Sequence, residues 1–151
     1  GLRSGTHNVP GIVGLGVASE VAGQERVAES ARLAVLRDRL QEGLEREIED
    51  LVVNGDVDNR LPHNLNVSIP YVDGEALLLS LEDVAVSSGS ACRSSAPGGS
   101  HVMKAIGRDD DLARSTIRFG LGRWTTEEEI DYAIGRVTET VARLRSMSSM
   151  A

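Results

Sequence analysis

The chain has 151 residues, about one domain's worth, with 40% hydrophobic and 26% charged residues, enough to bury a core without covalent staples. A net charge of -7 and only 3% aromatic residues leave neither the basic footprint that phosphate backbones attract nor the rings that stack on bases. No apolar run is long enough to span a bilayer.

Residues 1–11 are polar and turn-forming, punctuated by Pro10 and Gly11. From Ile12 the apolar pattern becomes helical. Gly14 and Gly16 weaken its first turns, and Gly23 is expected to end or interrupt it. A second helix is predicted from Leu33, Leu36, Leu40, Leu44 and Ile48, which form one stripe at spacings of three and four, with Arg and Glu on the other face. Residues 51–53 read as a short strand closed by the Asn54-Gly55 turn. The run NGDVDNR lacks the spacing and closing Glu of an EF-hand and reads as a solvated turn. Residues 64–69 alternate, with Leu65, Val67 and Ile69 to one side and Asn64, Asn66 and Ser68 to the other. Asp73 is placed to cap a short helix through Leu81, and residues 84–86 read as another short strand.

Residues 87–100, SSGSACRSSAPGGS, are too irregular for helix or strand and are expected to form a mobile loop. A short helix over about 100–106 follows. Residues 116–121 alternate again, with Ile117, Phe119 and Leu121 inward and Thr116, Arg118 and Gly120 outward. Thr125-Thr126-Glu127-Glu128-Glu129 offers two overlapping capping boxes for a last helix whose stripe is Ile130, Ile134, Val137, Val141 and Leu144. Strands and helices are partly segregated, and the first strand pair is joined by a turn too short for a crossover. The expected fold is therefore α+β, a small, mainly antiparallel sheet with helices packed on one face.

Cys92 is the only cysteine, so no intrachain disulfide is possible. A lone cysteine is most often an inert buried hydrophobe. Here no apolar periodicity carries it into a core, and Arg93 follows it, a setting that favours an exposed, partly ionised thiol. A phosphatase loop needs Arg six residues later, where Gly98 stands. A protease dyad needs a positioned histidine; His7, His63 and His101 are all available. One cysteine and three scattered histidines do not make a zinc site, so no metal is expected. A rhodanese-like loop would also carry a persulfide, but CRSSAPGG lacks its later glycine and arginine positions.

Arg118, mid-strand, either faces solvent or forms a rigid fork for a carboxylate. Arg123 reads as structural, near the last helix's start. The Arg3-Ser4-Gly5-Thr6 segment has the hydroxyl, guanidinium and backbone N–H groups that suit a phosphate, a weak signal alone. GIVGLG misses the dinucleotide fingerprint, with Ser19 where the third glycine belongs. Lys104 is the only lysine among sixteen Lys and Arg, so any step needing a lysine amine uses it or a group outside these residues.

RSGT before a Val-Pro-Gly helix start, then PHNLNVSI, SSGSACRS and STIRFGLGRWTTEEEID, occur in an order that resembles the C-terminal part of NifS/IscS-type cysteine desulfurases, pyridoxal-phosphate enzymes of the class V aminotransferase group. The resemblance runs essentially end to end, and SSGSAC resembles the longer-loop subgroup. It implies that L-cysteine is converted to L-alanine while its sulfur passes to Cys92 as a persulfide, for delivery to an acceptor protein. It implies that Arg118 binds the substrate carboxylate, and that Thr6 reaches the cofactor phosphate of the partner subunit in a homodimer. The family's Schiff-base lysine, ring-stacking histidine and ring-nitrogen aspartate belong to an N-terminal cofactor domain, and Lys104 is not where the family places that lysine.

The sequence starts without Met, signal peptide or tag, as if cut from something longer. The resemblance implies that residues 1–151 are the C-terminal small domain, with 1–11 an inter-domain and cofactor-phosphate segment and 87–100 the catalytic cysteine loop. Alone they are expected to hold no pyridoxal phosphate covalently and to release no sulfide from cysteine. A cytoplasmic setting is expected, with no membrane and no direct nucleic-acid contact. Selenocysteine lyase is a close variant; a docking module and a stand-alone sulfurtransferase using Cys92 are the other readings.

Overall fold

The computed structural model describes residues 4–88 and 100–147. It opens with α1 (Val9–Glu47), a single helix of 39 residues. Asn8 caps it, its side-chain oxygen accepting from the Gly11 N–H at 3.1 Å, and Pro10 occupies the first turn, where a missing N–H costs nothing. The expected break at Gly23 does not occur, and the helix starts inside the segment read as turn. Each interior glycine costs about 1 kcal/mol against alanine. That is too little to divide a long cooperative ladder rich in Ala, Leu, Glu and Arg.

Two apolar stripes build the core. On α1, Leu33, Leu36, Leu40 and Leu44 are buried, with Ile48 just beyond its end. On α5 (Glu127–Met147), Ile130, Ala133, Val137 and Val141 are buried. The two helices run parallel. Arg32 donates to the Thr125 carbonyl at 2.8 Å, Arg39 grips the Asp131 carboxylate at 2.6 and 2.8 Å, and Arg145 donates to the Glu49 carbonyl at 2.8 Å, so partner numbers rise together. Of the two capping boxes the sequence offers, the helix uses the second: Thr126 N–H donates to Glu129 at 3.0 Å, and Glu129 N–H returns to Thr126 Oγ1 at 3.2 Å. Arg123 is structural as read, paired with Glu25 at 3.0 Å and Glu29 at 3.5 Å on α1.

The helices pack against each other at Gly43, where an added Cβ would lie 2.4 Å from Ile134 Cδ1. Gly43→Ala gains helix propensity but must displace a side chain, and the net expectation is a loss of about 1 kcal/mol. Adding Ile134→Val removes the opposing methyl and should recover most of that loss. Urea unfolding midpoints of the single and double variants check it; a double variant no more stable than Gly43→Ala alone would contradict this contact.

The sheet has four strands in the order β1-β2-β4-β3, antiparallel throughout: β1 (Val52–Val53), β2 (Asn64–Ser68), β3 (Ser87–Ser88) and β4 (Thr116–Gly120). Leu65, Val67, Ile117 and Phe119 face the helices, and α2 (Gly74–Ser80) adds Leu77 to the same core. Asp73 caps α2, accepting from Ala76 N–H at 2.8 Å. The last strand pairing falls at residues 87–88, not at 84–86. An edge strand forms where a partner accepts it, and Ser87 and Ser88 stand opposite Arg118 and Ile117. Val84 and Val86 instead pack their side chains against the core. Two short helices lead into β4: α3 (His101–Ala105) and α4 (Asp110–Arg114), the latter unforeseen and capped by Asp109, which accepts from Leu112 N–H at 2.8 Å. No described helix is long and apolar enough to cross a membrane.

Candidate functional site

Period-two alternation turns the other half of each strand toward the opposite face of the sheet. Opposite Leu65, Val67, Ile117 and Phe119 lie Asn66, Ser68, Thr116 and Arg118. The register sets Asn66 against Arg118 on one side and Ser87 against it on the other. Asn54 extends this row past β1, its N–H donating to the Asn66 carbonyl at 2.9 Å. One polar row therefore crosses the sheet, Asn54–Asn66–Arg118–Ser87, with the Ser68–Thr116 pair beside it, its hydroxyls 3.0 Å apart.

This face is wired by hydrogen bonds. Arg108 Nε donates to Asn54 Oδ1 at 2.7 Å, and its Nη2 donates to the Val53 carbonyl at 2.9 Å. Asn54 Nδ2 donates to Asn66 Oδ1 at 2.7 Å and to Ser68 Oγ at 2.8 Å. Thr116 Oγ1 donates to the Leu112 carbonyl of α4 at 2.9 Å. Ser68 and Thr116 are buried, so satisfying their hydroxyls avoids a penalty of about 1–3 kcal/mol each. Arg118 differs from its neighbours. It is exposed, and no described residue takes up its guanidinium. An unpaired fork on a rigid strand, beside a fixed amide, suits a carboxylate.

The other sequence-predicted residues fall elsewhere. Cys92 lies outside the described residues; β3 ends four residues before it in the sequence, and Ser100, buried, holds the N-cap position of α3 after it without a side-chain capping bond. Thr6 stands three residues before α1, whose first buried residue, Leu33, is roughly 36 Å further along the helix axis. Lys104 is ion-paired with Asp110 at 2.8 Å. His63 and His101 are exposed. Among the described residues no cluster of His, Cys, Asp and Glu is placed to hold a metal.

An apolar cleft of about 490 Å³ lies on the helix side of β4, lined by Val84, Phe119, Leu121, Ile130 and Tyr132, away from Arg118. At its edge the Tyr132 hydroxyl and the Arg136 guanidinium both donate to Asp83. The Tyr132 hydrogen bond, then Arg136, hold the Asp83 carboxyl below the usual carboxylate range, and the same bond raises the Tyr132 phenol. These groups tie the segment before β3 to α5.

Asn54, Asn66 and Arg108 are not legible as site residues from the sequence. The outward alternation of Asn66 and Ser68 is the available signal; Arg108 carries none, because its partners lie 54 and 55 residues away.

The class-V aminotransferase profile matches residues 1–133. The cysteine desulfurase IscS of Anaeromyxobacter sp. (strain K) is 57% identical over 150 residues, 99% of this chain and 37% of that protein. A solved NifS-like protein superposes with a TM-score of 0.81 at 34% identity, over 95% of this chain and 36% of that one. The crystal structure of DndA from Streptomyces lividans gives 0.59 at 33% identity, over 79% of this chain and 33% of that one. The chain thus spans a little over a third of the length of the relatives it matches.

Proposed function

Because this chain belongs to the class-V aminotransferase family, among its NifS/IscS-type members, we propose that it is the C-terminal small domain of a cysteine desulfurase. The reaction converts L-cysteine to L-alanine and leaves the sulfur on Cys92 as a persulfide for an acceptor protein. One observation carries this reading: the strand register sets Arg118, whose guanidinium no described residue takes up, directly beside β3, which ends four residues before Cys92. Four residues of extended chain span at most roughly 14 Å, which supports assigning carboxylate fork and sulfur acceptor to one neighbourhood.

In this reading Arg118 grips the substrate carboxylate and fixes where the substrate sulfur lies. Cys92, as thiolate, forms the S–S bond while the substrate C–S bond breaks; the C–S electron pair stays with carbon, which takes up a proton to become the methyl group of alanine. Pyridoxal phosphate, the cofactor of this family, supplies an electron sink at the substrate α-carbon when bound. The described residues suit only the substrate end of such a site. They offer a donor array for a carboxylate but no free amine, since Lys104 is held by Asp110. The cofactor's attachment is assigned to a separate cofactor domain. Val9, Ile12, Val13, Leu15 and Val17 of α1 are all more than half exposed, an apolar surface that supports docking on such a domain. Thr6, before that helix, is assigned to the cofactor phosphate of the partner subunit in a dimer, and the setting to the cytoplasm.

In the complete desulfurase, Arg118→Ala is expected to raise KM for L-cysteine roughly 10- to 100-fold, the worth of one charge-assisted fork. Arg118→Lys, which keeps charge but loses the fork, should fall between. Steady-state alanine formation measures this, and an unchanged KM in Arg118→Ala would remove the carboxylate role.

A further inference from the structure

The hydrogen-bond network on the polar sheet face has a direction, and its origin is Arg108. A guanidinium can only donate. The Asn54 atom facing Arg108 Nε at 2.7 Å must therefore be its oxygen. That leaves Asn54 Nδ2 to donate both its hydrogens, one to Asn66 at 2.7 Å and one to Ser68 Oγ at 2.8 Å. The Asn66 atom receiving the first must in turn be its oxygen. Asn66 Nδ2 is then left pointing away from Asn54, and no described residue takes up its hydrogens. Asn66 stands directly opposite Arg118 in the β2–β4 register, where facing side chains lie about 5 Å apart at Cβ.

We propose that Arg108 is a positioning residue that acts through Asn54 to make Asn66 Nδ2 a second donor beside Arg118, completing a two-residue carboxylate subsite. Without Arg108, Asn54 can turn its amide over; Asn66 would then be free to present its oxygen, which repels a carboxylate. A single remote guanidinium thus decides whether the amide beside Arg118 attracts or opposes the ligand. This deepens the carboxylate role given to Arg118 and rests on it.

The test is side-chain NMR on the 151-residue chain labelled with nitrogen-15, titrated with sodium acetate against sodium chloride at matched ionic strength. The Asn66 side-chain amide and Arg118 Nε signals should shift together along one binding curve. Asn66→Ala should weaken acetate binding about three- to tenfold. Arg108→Met should remove the Asn66 response while the Val67 and Ile117 backbone signals stay in place, and Arg108→Lys, still donor-only, should restore it. Arg118 shifting without Asn66, or Asn66 responding unchanged in folded Arg108→Met, would overturn the relay alone. Arg118 failing to shift would overturn the carboxylate role itself. Should Arg108→Met unfold, the wild-type titration and Asn66→Ala still decide whether Asn66 is the second donor.

Discussion

Substituting Cys92 by serine is expected to leave this domain folded and to abolish the sulfur transfer proposed for it. Serine is nearly the same size, but its hydroxyl is scarcely ionised at neutral pH, whereas a thiol is both partly ionised and intrinsically nucleophilic. Cys92 is the only cysteine of these 151 residues, so no second thiol of this domain can substitute for it. In the complete desulfurase the loss of alanine formation should be about 1000-fold or more, within what removal of a nucleophile costs elsewhere. Intact mass gives a second readout. After incubation with a persulfide donor the native chain should gain one sulfur atom, and Cys92→Ser none. Desulfuration surviving in Cys92→Ser would sink the assignment.

Gly74→Ala is the substitution expected to damage the fold most for its size. A Cβ at Gly74 would lie 2.0 Å from the Arg114 carbonyl oxygen and 3.3 Å from Ser115 Cα. Both are backbone atoms, so no side chain can swing away. Relief requires α2 to move off the junction between α4 and β4, and α2 carries Leu77, fully buried in the core. The helix-propensity gain from glycine to alanine is at most about 1 kcal/mol, against an overpacking cost of about 1–3 kcal/mol or more. We expect a net loss of about 2–3 kcal/mol, a fall in Tm of roughly 4–12 °C for a domain of this length. Gly43→Ala meets only a flexible side chain and should cost less. A Gly74→Ala chain melting at or above the native temperature would contradict the packing.

Much of the fold is legible in residue order because its causes are local. The Leu33–Ile48 stripe, the alternation around Leu65 and Val67, the Asp73 cap and the Thr126–Glu129 box each act within a few residues, and each forms as read. The failures arise where a local signal is weak against a longer-range one. Gly23 is a real cost to α1, but a 39-residue hydrogen-bond ladder absorbs it. Residues 84–86 have strand propensity, yet the pairing goes to Ser87 and Ser88 because Arg118 and Ile117 stand opposite them.

The candidate site divides the same way. The amino-acid order alone determined that the chain has a single thiol, a single lysine and an arginine placed mid-strand, and their neighbouring motifs carried the likeness to the desulfurases. Only the tertiary structure decided that Arg118 stands between Asn66 and Ser87, that Lys104 is bound to Asp110, and that Arg108 donates to Asn54, which donates in turn to the Asn66 amide oxygen. The reason is physical. Helix stripes and caps are set by interactions between residues three or four apart, whereas the direction of a hydrogen-bond network depends on which donors and acceptors meet across strands, and Arg108 meets Asn54 across 54 residues of chain.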